Sequence, residues 1–220
     1  MRSTVLLSRV GVLGAAAVFA LFTVVVAARP AGADFNGIVT PQTWQQLATD
    51  SRVNLDSRTK YYAVHGANPR QLQASMGVQG PLAIGSKNAI GRFRAGGGVT
   101  YRLLDRGSTC ELFDFTVNES DLTWLPRWTG DGMATARTRG WWSKTAEDVR
   151  QHEQEHAFIR LIEVRALPSL LDRIPIFPTC AQVTDAVKRV TNEHWRLAER
   201  RSFAFDRWTD NGRNGRYWLG

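Results

Sequence analysis

Cysteine is scarce in this 220-residue chain: Cys110 and Cys180 are the only two. Neither has a Cys or His close to it in sequence, which argues against a zinc knuckle. Lysine is almost as rare, with Lys60, Lys87, Lys144 and Lys188 the only four among 28 basic residues. The arginines are scattered without runs or interleaved aromatics, so the formal charge of +8 reads as a solvated surface and nucleic acid is not an expected partner. Internal repeats and low-complexity tracts are absent. At 43% hydrophobic residues the composition excludes a disordered or collagen-like chain.

Acidic residues are missing altogether from positions 1–33, which carry Arg2, Arg9 and Arg29, an apolar stretch from Val10 to Ala28, and the small triplet Ala31-Gly32-Ala33. This pattern predicts a signal peptide ending at Ala33. The alternative is a retained membrane anchor, since the stretch approaches the length that spans a bilayer. Both place the protein outside the cytoplasm, as a secreted or extracytoplasmic chain, with membrane contact only if the segment is uncleaved. In that oxidising setting a Cys110–Cys180 disulfide is the expected pairing, worth about 4 kcal/mol in the chain-entropy view.

The remaining chain is expected to form an N-terminal extension over 34–57, with a short helix over Thr43–Ala48, and one domain over 58–220. A strand is expected at Tyr61–Gly66, then a short helix capped by Asn68 with Pro69 at its first position and stopped by Gly77 and Gly80. Alternation at Val99, Tyr101, Leu103 and at Phe113, Phe115, Val117 predicts antiparallel strands, with turns at Arg94–Gly98 and Asp105–Ser108. Asp121–Leu125 reads as a further strand and Trp128–Gly140 as a loop.

From Lys144 the period becomes helical, with Thr145 as cap and Val149, His152, His156 and Ile159 on one face, ending before Pro168. A second helix from about Cys180 carries Val183, Val187, Val190, His194 and Leu197, and the tail from Trp208 to Gly220 is expected to be irregular. Strands first and helices after them predict an α+β fold, an antiparallel sheet followed by two long helices.

The chemistry lies in His152-Glu153-Gln154-Glu155-His156, an HExxH motif whose imidazoles, four residues apart, turn towards one point. Two such imidazoles supply part of a zinc site, and Glu153 beside the first is the candidate general base. Glu155, Glu193 and Glu199 read as solvated helix charges. A third ligand must come from elsewhere. His194 and Asp206 are candidates: a lone histidine on an apolar stripe is more often a hydrogen-bonded core residue, and Asp206 reads equally as an N-cap, a surface charge or a partner of a ligating histidine.

Taken together, the apparent export segment, the Tyr-Tyr-x-Val strand before a short helix, HEQEH, a later Cys, and Phe205-Asp206-Arg207-Trp208-Thr209-Asp210-Asn211-Gly212 resemble the bacterial secreted family catalogued as domain of unknown function 922, which is associated with zinc-dependent proteolysis. The resemblance runs from about Tyr61 to the C-terminus. It implies a zincin-like peptidase with zinc on His152 and His156, Glu153 as base and Asp206 in the family's aspartate position. Asn211 stands where the family pattern usually has His, the natural third ligand. Asp206 is therefore the expected third ligand, with His194 and Asn211 as alternatives, or the chain is a non-catalytic extracellular binding or scaffold domain without tight zinc. For a peptidase the partner is a peptide or protein, with Asp121–Leu125 as the nearest strand edge for it and Trp141 and Trp142 either lining the cleft or packing the core.

Overall fold

A computed structural model of the chain describes residues 50–82, 88–130 and 134–212. The signal or anchor segment, the Thr43–Ala48 helix and the last residues of the tail lie outside them. The elements are β1 (Val53–Val64), α1 (Pro69–Gln79), β2 (Arg92–Asp105), β3 (Cys110–Trp128), α2 (Ala136–Leu171) and α3 (Cys180–Thr209). The class is α+β, three strands followed by two long helices.

The sheet is mixed rather than wholly antiparallel. β2 and β3 form the expected hairpin, closed where the Asp105 carboxylate accepts from the Gly107 amide at 2.8 Å. β1, however, lies parallel to β3, so the order is β1-β3-β2. Its first residues, from Val53, belong to the stretch read as an N-terminal extension, because Val53 pairs with Val117 and packs in the main core. Asp121–Leu125 is part of β3 and therefore central, not an edge.

Gly96, Gly97 and Gly98, read as a turn, continue the β2 ladder opposite Ser120, Glu119 and Asn118. The reason is space: a Cβ on Gly97 would stand 2.3 Å from Glu119 Oε2 and 2.7 Å from the Asn118 carbonyl oxygen. Gly97 lets a large acidic side chain sit across the ladder.

α1 forms as the sequence suggests, with Asn68 accepting from the Gln71 amide at 3.0 Å, but Gly77 is inside it and Gly80 ends it. α2 is longer than its periodicity indicates. Its cap is Thr135, which accepts from the Thr138 amide at 3.1 Å, so Trp141 and Trp142 are helical and the supposed loop ends before Ala136. Both tryptophans pack against Val64, Leu72 and Met76. Pro168 lies inside the helix one turn from its end, where a missing amide forfeits a single hydrogen bond and the Asp172 amide still reaches the Pro168 carbonyl at 3.0 Å. α3 starts with a capping box between Thr179 and Gln182 and extends to Thr209, slightly past the point where the tail was expected to become irregular.

The core joins Phe115 and Val117 of β3 to Val164, Leu167 and Leu171 of α2 and Val187 of α3. Cys110 and Cys180 form a disulfide between the first residues of β3 and α3, and Cys110 also exchanges backbone hydrogen bonds of 2.7 and 2.9 Å with Phe177. Among the described residues no helix is long and apolar enough to cross a membrane.

Candidate metal centre

His152 and His156 lie on successive turns of α2, each 8% exposed, with Glu153 between them at 5%. From α3 comes Asp206, more open at 28% side-chain exposure. Its Oδ1 is 3.2 Å from His152 Nε2 and 3.0 Å from His156 Nε2, while the two Nε2 atoms are 3.2 Å apart. These three residues form the group of potential metal ligands among the described residues.

The donor set fits zinc in kind and spacing. Imidazole nitrogens and a carboxylate oxygen are zinc donors, and bonds of about 2.0–2.1 Å in a tetrahedron separate neighbouring donors by roughly 3.3 Å. The three donor atoms form a near-equilateral triangle. Burial by itself raises the Asp206 carboxyl, but the hydrogen bonds and charges of His152 and His156 outweigh it and hold the group well below the usual carboxylate range.

Phe205, next to Asp206, packs on both imidazoles. Its ring is stacked on His152 at 5.0 Å and 26°, and meets His156 edge-on at 5.2 Å and 87°. The Glu153 carboxylate lies against the start of β2, within reach of the charges of His156 and Asp206. A Cβ on Gly91 would stand 2.5 Å from Glu153 Oε1 and 2.6 Å from Val149 Cγ1, so only glycine lets the strand approach this closely. Burial pushes the Glu153 carboxyl up to about 7, with the Asp206 charge adding to the rise and His156 and the Phe93 backbone opposing it. Tyr62 donates to the Ile90 carbonyl just before Gly91, and burial followed by the Glu153 charge raises its phenol.

His194 is not part of this group. Its Nδ1 lies 2.8 Å from Glu163 Oε2, and Arg201 pairs with the other oxygen of the same buried carboxylate. Asn211 is exposed beyond the end of α3, at φ 52°, with its amide donating to the Asp206 carbonyl at 2.7 Å. Glu193 and Glu199 are exposed and Glu155 is half-buried.

Sequence reasoning missed a second polar cluster beside the centre. Glu119 of β3 accepts from Arg160 of α2 at 2.7 and 3.1 Å, and Arg160 lies over the Trp195 ring at 3.9 Å. Asp121, on the same strand face, is 7% exposed. Burial, then the Glu119 charge, pushes it up to about 8. Acidic residues at alternate positions of a strand were the available signal.

The family described as "Bacterial protein of unknown function (DUF922)" matches residues 59–213. The chain belongs to this family. The DUF922 match takes in both histidines, Glu153, Phe205, Asp206 and Asn211, and begins within β1. No curated protein and no solved structure matches the chain.

Proposed function

We propose that the protein is a zinc-dependent metallohydrolase, a peptidase acting outside the cytoplasm. The observation that carries this reading is the convergence of His152 Nε2, His156 Nε2 and Asp206 Oδ1 within 3.2 Å of one another, with Glu153 adjoining the first ligand on the same helix. His152, His156 and Asp206 are the residues that hold the metal. A zinc ion bound there would supply Lewis acidity to a carbonyl and make water acidic enough to lose a proton near neutral pH.

With the metal bound, Glu153 would be the base that accepts the water's proton on its carboxylate. A carboxyl raised to about 7 is matched to accepting and returning a proton near neutral pH. The substrate is a peptide or protein segment in extended form. β2 is an edge strand that pairs with β3 alone among the described residues, and its start lies against Glu153, so its free edge replaces Asp121–Leu125 as the place for such a segment. Support for an extracytoplasmic location is the composition of residues 1–33, read as a cleaved signal or an anchor, together with the Cys110–Cys180 bridge.

The test is Glu153→Gln on purified protein with casein as substrate. Hydrolysis falls by at least about 10²-fold while zinc content stays at the wild-type level. Undiminished hydrolysis removes Glu153 from its role. Folded wild-type protein that takes up no zinc favours the binding or scaffold domain instead, the reading that Asn211 in place of histidine suggests.

A further inference from the structure

We propose that Phe205 is a positioning residue for the metal centre, its ring fixing the two imidazoles in the orientation at which both Nε2 atoms meet Asp206. This rests on the zinc reading above. Three rings close on one another here: His152 and His156 are 4.8 Å apart at 88°, and Phe205 stacks on the first while presenting an edge contact to the second. A ring that meets one imidazole face-on and the other edge-on constrains the rotation of both. Ligating histidines are commonly oriented by groups that do not touch the metal, and removing such a group costs metal affinity even when every ligand remains.

The end of α3 is built to hold that ring in place. Thr209, fully buried, donates from Oγ1 to the Phe205 carbonyl at 2.9 Å and accepts from the Gly212 amide at 3.3 Å. The Asn211 amide donates to the Asp206 carbonyl at 2.7 Å. The turn carrying Phe205 and Asp206 is thus tied down from its C-terminal side, through Asp210 and Asn211 at φ 51° and 52° and Gly212 at φ 82°. Asp206 supplies a donor atom to the centre, and the residue before it supplies the surface against which the other two donors are aligned. An aliphatic side chain would fill the same space without a flat face for His152 or an aromatic partner for the edge of His156.

The experiment measures zinc affinity by competition with a chromophoric chelator on the full chain, for wild type, Phe205→Leu, Phe205→Met and Phe205→Tyr. The visible spectrum of each protein with cobalt in place of zinc reads the ligand geometry, and circular dichroism of the metal-free proteins checks folding. The expected result is a loss of about tenfold or more in Phe205→Leu and Phe205→Met. Their cobalt bands shift, and Phe205→Tyr stays close to wild type in both readouts. Two aliphatic variants are used so that one that fails to fold leaves the other to decide. Wild-type affinity and an unchanged cobalt spectrum in a folded aliphatic variant overturn the proposal, as does a tyrosine variant as weak as leucine. A wild-type protein that binds no zinc overturns the metal reading and this inference with it, whereas tight wild-type binding unaffected at Phe205 overturns this inference alone.

Discussion

Asp206 Oδ1 lies 3.0 Å from His156 Nε2, joining two helices across fifty residues of sequence. The same oxygen is 3.2 Å from His152 Nε2. Two histidines of one helix are thereby brought together with a carboxylate from the next, and Glu153 lies between the histidines on the same helix.

Gly91 is a contact between the start of β2 and Glu153. In Gly91→Ala the added carbon meets Glu153 Oε1 at 2.5 Å and Val149 Cγ1 at 2.6 Å, so strand or carboxylate must shift. The expected outcome is hydrolysis lowered by an order of magnitude or more with zinc content unchanged, and a stability loss of about 1–3 kcal/mol by urea unfolding. An alanine variant with wild-type rate and stability contradicts the close approach.

Asp121 sets a pH dependence of stability. Its carboxyl titrates near 8 in the folded protein and near 3.9 when unfolded, so the folded state holds the proton more tightly. The stabilising contribution is fully present below about pH 3.9 and is lost as pH rises through 8. Asp121→Asn, which keeps a neutral side chain, is therefore expected to lose less stability than wild type between pH 5 and pH 8.5, by at least about 1 kcal/mol in urea unfolding. Equal losses in the two proteins rule out a protonated Asp121.

The disulfide ties the start of the central strand to the start of α3 across 70 residues. Cys180→Ser, or reduction of the wild type, is expected to lower stability by about 2–4 kcal/mol. Thermal unfolding with and without reductant measures this, and mass spectrometry under non-reducing conditions that finds two free thiols removes the bridge.

The legible parts of the sequence were those governed by local rules. The i, i+4 spacing of His152 and His156 placed both rings on one face, Asn68-Pro69 announced α1, and a change from alternating to helical periodicity separated sheet from helices. What was hidden depends on partners distant in the chain. β1 pairs parallel to β3 because Val53 and Leu55 join the α2-facing core, which no pattern within Val53–Val64 reveals. The glycines at 96–98 look like a turn until the ladder is seen to continue through them, with Glu119 in the space a Gly97 side chain would take. Thr135 and Thr145 are equally acceptable caps by residue type, and packing of Trp141 and Trp142 against α1 extends the helix back to the first. On sequence alone Asp206 was the expected third ligand and His194 an alternative; Glu163 engages His194, and the end of α3 brings Asp206 to the two imidazoles.

The most direct test of the central claim is elemental analysis of zinc in mature protein made without a histidine tag, comparing wild type with His156→Ala, Asp206→Ala and His194→Ala. The account predicts about one zinc per chain in wild type and His194→Ala, and loss of tight binding in the other two. Zinc retained in Asp206→Ala and lost in His194→Ala, or no zinc in wild type after addition and dialysis, contradicts it.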